Sequence, residues 1–72
     1  MNESEIRRLA SRMLAELEWA VTRSANDDVK TAYSRFISLL QITHNKDAKK
    51  LVEDALDIIS KELYKRNIED RN

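Results

Sequence analysis

The sequence predicts an all-α fold: a single domain over residues 1–72, arranged as a three-helix, up-down-up antiparallel bundle. The chain of 72 residues contains no glycine and no proline. One or both of these residues normally support hairpin turns and phosphate-binding loops, so the composition argues against sheets and nucleotide sites. Three segments also carry apolar residues at helical spacing, and two short polar junctions separate them.

The first helix is predicted over residues 4–23. Its central apolar line alternates spacings of four and three, which is typical of an amphipathic helix. The line consists of Ile6, Ala10, Met13, Leu17 and Ala20. Ser4 is the expected N-cap, and Glu5 in the first turn suits the positive end of the helix dipole. We therefore expect the line through Met13 to face the core.

The second helix is predicted over residues 27–43, and it is the most apolar of the three. Its central line repeats the same spacing and consists of Val29, Tyr33, Phe36 and Leu40. Because this helix is so apolar, we expect it in the middle of the bundle. Asn26 is the expected N-cap, since two acidic residues follow it, and His44 is expected to cap the opposite end.

The third helix is predicted over residues 47–66, followed by a frayed tail over residues 67–72. Its central apolar line consists of Ala48, Val52, Ala55 and Ile59. Two acid-to-base pairs, each four residues apart, indicate a solvated face on this helix. These pairs are Asp57 with Lys61 and Glu62 with Arg66.

The two junctions are short, which makes consecutive helices antiparallel. Asparagine tolerates the left-handed conformation that glycine usually supplies after a helix, so Asn26 and Asn45 are expected to allow these breaks. A chain of this length builds only a thin core. The alternative to a monomeric bundle is therefore an arrangement completed by dimerisation, in which two chains pool their apolar faces.

The composition narrows the classes of partner and chemistry. Thirteen basic and thirteen acidic residues give a formal net charge of zero, which removes any global attraction to nucleic acid or to a membrane. The chain has one histidine and no cysteine, so we expect no metal site, no cofactor and no enzyme activity. The missing cysteines and the lack of a signal peptide or membrane span predict a cytoplasmic protein that does not bind membranes.

Trp19 is the residue that departs most from the apolar pattern of the first helix. It projects roughly 145° away from the centre of the apolar line of the first helix. The residues expected beside it on that outer side are Arg8, Arg12, Ala15 and Arg23. Trp and Arg are the types most enriched in binding hot spots, so this side is a candidate partner-binding surface. The alternative is that the following loop or the third helix covers Trp19.

We therefore expect a non-catalytic protein–protein interaction module, such as an adaptor, inhibitor or regulatory subunit. Its partner is expected to be another protein, a second copy of this chain, or both. The alternative is a nucleic-acid-associated regulator, because arginines around an aromatic residue can hold phosphates and stack a base.

Overall fold

Three helices make up the fold. A computed structural model describes the backbone of residues 2–71 and the side chains of residues 2–67. The helices are α1 (Glu3–Arg23), α2 (Asn26–Ile42) and α3 (Lys46–Arg71), and the described residues contain no strand. The all-α prediction is confirmed. α3 runs past its expected end and includes most of the segment expected to fray, while Asn72 lies outside the described residues.

Asparagines cap the first and third helices. The Oδ1 atom of Asn2 accepts a hydrogen bond from the backbone N–H of Glu5 at 2.9 Å. Asn45 Oδ1 accepts bonds from two backbone N–H groups at the start of α3, each at 3.0 Å. The prediction that Ser4 caps α1 was wrong because the helix begins at Glu3, which places Ser4 inside the first turn.

The junction between α1 and α2 differs from the expectation in two ways. Ala25, whose side chain cannot cap, precedes α2, so Asn26 is not the N-cap. Ser24 and Ala25 adopt extended backbone conformations, and no described residue has a positive φ. The left-handed asparagine was therefore not needed, because an extended pair of residues reverses the chain direction. Ser24 Oγ also donates to the carbonyl of Ala20 at 2.7 Å.

The end of α2 is stabilised by Thr43 rather than by His44. Thr43 Oγ1 donates a hydrogen bond of 2.6 Å to the carbonyl of Leu39, one of the last carbonyls of the helix. His44 lies beyond the cap residue in the connection to α3 and is exposed. The predicted cap role of His44 was wrong because the helix ends earlier than expected.

The central helix is α3, not α2. It contacts both other helices, whereas α1 and α2 contact each other only weakly. α3 also holds most of the buried apolar residues, namely Val52, Ala55, Leu56 and Ile59. α2 contributes only one such residue, Val29. The expectation for α2 was wrong because apolar content alone does not determine which helix has neighbours on both sides.

The helices run up, down and up, and they converge at one end. Val21, Val29 and Ile59, one residue from each helix, form the core cluster. The predicted three-helix bundle is confirmed, and it is flattened, with α3 between α1 and α2 and principal extents of 47 × 23 × 15 Å; we call this flattened bundle the layer. The radius of gyration of 13.4 Å also exceeds the roughly 11 Å of a compact domain of this length. α1 and α2 contact each other only weakly, and the core cluster is where all three helices meet.

Arg66 closes the converging end. Its Nη1 atom donates to Asn26 Oδ1 at 2.8 Å, and its Nη2 atom donates to the carbonyl of Val21 at 2.9 Å. Its Nε atom lies 3.6 Å from the carboxylate of Glu62, and both side chains are largely buried. The prediction that this pair lies on a solvated face was wrong, because the guanidinium joins the three helices. The exposed ion pair of Asp57 with Lys61 has the predicted surface position.

Candidate functional site

The predicted partner-binding residues lie together on the outer side of α1. Spacings of three and four residues align them along the helix, and we call this surface the Trp–Arg face. It consists of Arg8, Arg12, Ala15, Trp19 and Arg23, all of which are exposed. α1 packs against α3 through the line of Ala10, Leu14 and Val21, which lies on its other side.

Trp19 is held in place without being covered. Its side chain is 61% exposed, so neither the following loop nor α3 buries it. The guanidinium of Arg23 lies over the indole, with its carbon 4.3 Å from the ring centroid. The same guanidinium donates to the carbonyl of Trp19 at 3.0 Å and to Thr22 Oγ1 at 3.3 Å. The cation–π contact and these hydrogen bonds therefore fix the two side chains against each other.

The charge of the Trp–Arg face is only partly compensated. Arg12 lies 4.0 Å from Glu16, at the limit of an ion pair, and both side chains are well exposed. The neighbouring Arg7 pairs closely with Glu3 at 2.7 Å. The face thus carries a modest positive charge around an aromatic centre, on a chain whose formal net charge is zero.

Two open grooves run between α1 and α3, and the Trp–Arg face lines neither of them. Near the core cluster the groove is lined by Glu18, Thr22, Ile58, Lys61 and neighbouring residues. Near the helix starts it is lined by Ala10, Leu14, Leu51, Asp54 and neighbouring residues. There, the hydrogen bond from the Lys50 ammonium to Asp54 at 2.9 Å raises the pKa of Lys50 above its ordinary value. Lys50 is fully exposed, and its ion pair is an ordinary surface contact.

An apolar surface at the open end of the layer was missed by the sequence reasoning. We call it the splayed face. It consists of Ile6, Leu9 and Met13 of α1 and Leu39 and Ile42 of α2, which are between 41% and 70% exposed. The predicted core line of α1 was only partly right. Leu17 packs against the core cluster and Ala10 is half-buried, whereas Ile6 and Met13 stay nearly half exposed because α1 is rotated toward the line through Val21. The sequence feature that could have indicated this surface is the wide apolar arc of α1.

Metal ligands, membrane-spanning helices and similarity to known proteins point to no further functional site in the described residues. Among the described residues, no group of three or more His, Cys, Asp or Glu side chains could hold a metal ion. No helix of the described chain is long and apolar enough to cross a membrane. No protein-family model, curated protein or solved structure matches the chain.

Proposed function

We propose that this protein is a non-catalytic protein–protein interaction module that binds a partner through the Trp–Arg face. The observation that carries the proposal is Trp19, a large aromatic side chain that is mostly exposed yet fixed by Arg23. Adaptors, inhibitors and regulatory subunits are the roles that such a module can serve. We extend the proposal to a cytoplasmic location, which the cysteine-free composition supports.

The exposed area of Trp19 is large enough to dominate a small interface. A tryptophan side chain buries about 150–250 Å² in a core or an interface. Since 61% of Trp19 remains exposed, about 100–150 Å² is left for a partner to cover. At about 25 cal/mol/Å², covering it contributes about 3 kcal/mol to binding. The contact with Arg23 restricts the rotamers open to the indole, which lowers the entropy lost on binding.

The charges around Trp19 indicate the chemistry of the partner. Arg8, Arg12 and Arg23 lie on the same exposed side of α1 as the indole, and Arg23 contacts it. A protein surface that offers an apolar pocket for the indole and carboxylates at its rim would match this arrangement. A nucleic acid is a weaker match, because three arginines on a neutral chain neutralise few phosphates.

The experiment compares capture of partners by three forms of the protein. The wild type, Trp19→Ala and Tyr64→Ala are immobilised and exposed to extract from the native organism, and bound proteins are identified by mass spectrometry. Tyr64 is the matched control, since it is an exposed aromatic residue on α3. We expect proteins that bind the wild type and Tyr64→Ala to be lost from Trp19→Ala.

Quantitative binding then tests the size of the effect. For a captured partner, Trp19→Ala should weaken affinity by about a hundredfold, which corresponds to roughly 3 kcal/mol. The emission of the single tryptophan should also shift to shorter wavelength on binding, because the indole leaves water. Equal affinity of the wild type and Trp19→Ala would refute the proposal. Tight, steeply salt-dependent binding of labelled DNA or RNA would favour the nucleic-acid alternative instead.

A further inference from the structure

The splayed face is an apolar surface that the fold leaves largely exposed. Its α1 part is Ile6, Leu9 and Met13, each nearly half exposed. Its α2 part is Leu39 and Ile42, and Ile42 is 70% exposed. Single apolar residues on a surface are ordinary, whereas five at one end of a small layer form a patch of the kind that marks an interaction site.

The α1 part of the splayed face lies beside the core cluster. Leu17 packs against that cluster and lies on one flank of the Val21 line. Met13 and Leu9 lie on the same flank as Leu17, roughly 80–120° around the helix from Val21. The grooves with α3 are lined mainly from the opposite flank, which includes Glu18, and Ile6 is the one residue of the splayed face that also lines a groove. Leu9 and Met13 therefore border the side of the layer that faces away from the grooves.

The α2 part borders the same side of the layer. Ala32 packs against the core cluster and lies on one flank of the Val29 line. Leu39 and Ile42 lie on that same flank, roughly 80–140° around the helix from Val29. α2 runs antiparallel to α1, and the two helices lie on either side of α3. This flank of α2 and the Leu17 flank of α1 therefore lie on the same side of the layer.

The two parts also lie at the same height. Leu9 is twelve residues before Val21, and Ile42 is thirteen residues after Val29. At a rise of about 1.5 Å per residue, both lie roughly 18–20 Å from the core cluster. The exposed residues of α1 and α2 thus flank the first half of α3 as two parallel apolar strips.

The exposed surface of the whole chain is larger than a folded monomer of this mass requires. The chain exposes 5865 Å² at 8.4 kDa, compared with about 4,600 Å² for a typical folded monomer. This excess of about 1,200 Å² belongs to the whole chain, and the exposed apolar side chains of the splayed face are one contribution to it.

We infer that the splayed face is a self-association surface, on which a second copy of this chain binds about a two-fold axis. The charges at its rim suit such a pairing. Glu16 borders the α1 strip and Arg35 borders the α2 strip, at similar heights above the open end. When α1 of one copy lies on α2 of the other, opposite charges meet at both ends of the interface. This inference does not depend on the Trp–Arg face.

Sedimentation equilibrium over about a hundredfold range of concentration tests the inference by mass action. The wild type and Trp19→Ala should form dimers. The double variant Leu9→Glu with Ile42→Glu should remain monomeric, with its helicity retained in circular dichroism. The matched control adds the same two charges to the flank of α2 opposite the splayed face, as Ser34→Glu with Gln41→Glu, and should still dimerise. A wild type at monomer mass throughout, or a dimeric Leu9→Glu, Ile42→Glu variant, would overturn the inference.

The reactivity of an introduced thiol tests the inference independently, because it does not require the charged variants to fold. The chain has no cysteine, so Ile42→Cys and Ser34→Cys each introduce a unique thiol. Where about nine-tenths of the chains are paired, Ile42→Cys should react about tenfold more slowly than in dilute solution. Ser34→Cys, on the opposite flank of α2, should react at the same rate at both concentrations. A rate for Ile42→Cys that is independent of concentration would overturn the inference. If Trp19→Ala is the only variant that fails to dimerise, the self-association surface is the Trp–Arg face and not the splayed face.

Discussion

Replacing Arg66 by methionine should destabilise the fold by about 3 kcal/mol. The change keeps an unbranched apolar side chain but leaves Glu62, which is 9% exposed, without its cation. Asn26 Oδ1 and the carbonyl of Val21 also lose donors at 2.8 and 2.9 Å. Breaking a buried ion pair costs roughly 3–5 kcal/mol. The lower end applies because Arg66 keeps 18% of its side chain exposed, at 3.6 Å from Glu62.

This loss is large for so small a domain, whose total free energy of unfolding is expected to be about 4–10 kcal/mol. Urea denaturation followed by circular dichroism, at concentrations where the chain is monomeric, measures it. With a slope of about 1 kcal/mol/M, the midpoint should fall by about 3 M.

Lys61→Met is the matched control, because it breaks the exposed pair with Asp57 and should cost at most about 0.5 kcal/mol. Adding Glu62→Leu to Arg66→Met should recover much of the loss, since the buried carboxylate is then absent. If Arg66→Met is as mild as Lys61→Met, Arg66 does not join the helices in the way described.

Two further substitutions test the core and the helix starts by thermal melts. Ile59→Ala removes a fully buried side chain and should cost about 2–5 kcal/mol. Ile58→Ala, in the half-buried groove position, should cost less than half as much, and equal losses would show that the core is misplaced. Asn2→Ala should cost about 1 kcal/mol by removing the cap bond to Glu5. Ser4→Ala should change the melt little, and the reverse order would restore Ser4 as the cap.

The helices were predictable because periodicity is a local property of the sequence. The three segments, their approximate bounds and their antiparallel order all followed from spacing and short junctions. The caps were harder, because Asn2 and Ser4 are both good N-cap residues and only the start of the helix decides between them. The role of Arg66 could not be read from the sequence, since its partners Asn26 and Val21 are distant along the chain.

The two candidate surfaces also differ in how far the sequence could predict them. The exposure of Trp19 was open to prediction because one residue on the wrong side of a helix stands out. The splayed face was not, since the apolar arc of α1 extends from Leu9 to Leu14 and is wide enough to serve two neighbours. Periodicity locates such an arc on a helix, but packing against α3 decides which half of it becomes buried.

The rotation of α1 makes its two candidate interfaces compatible with each other. The line through Val21 packs against α3, Met13 belongs to the splayed face, and Trp19 lies on the outer side. Trp19 and Met13 are six residues apart, which places them about 120° apart around the helix. A second copy that packs over Met13 therefore approaches α1 from a different side than a partner that binds Trp19. A two-fold dimer would then present two Trp–Arg faces, and a partner with two matching sites would bind it more tightly than it binds one chain.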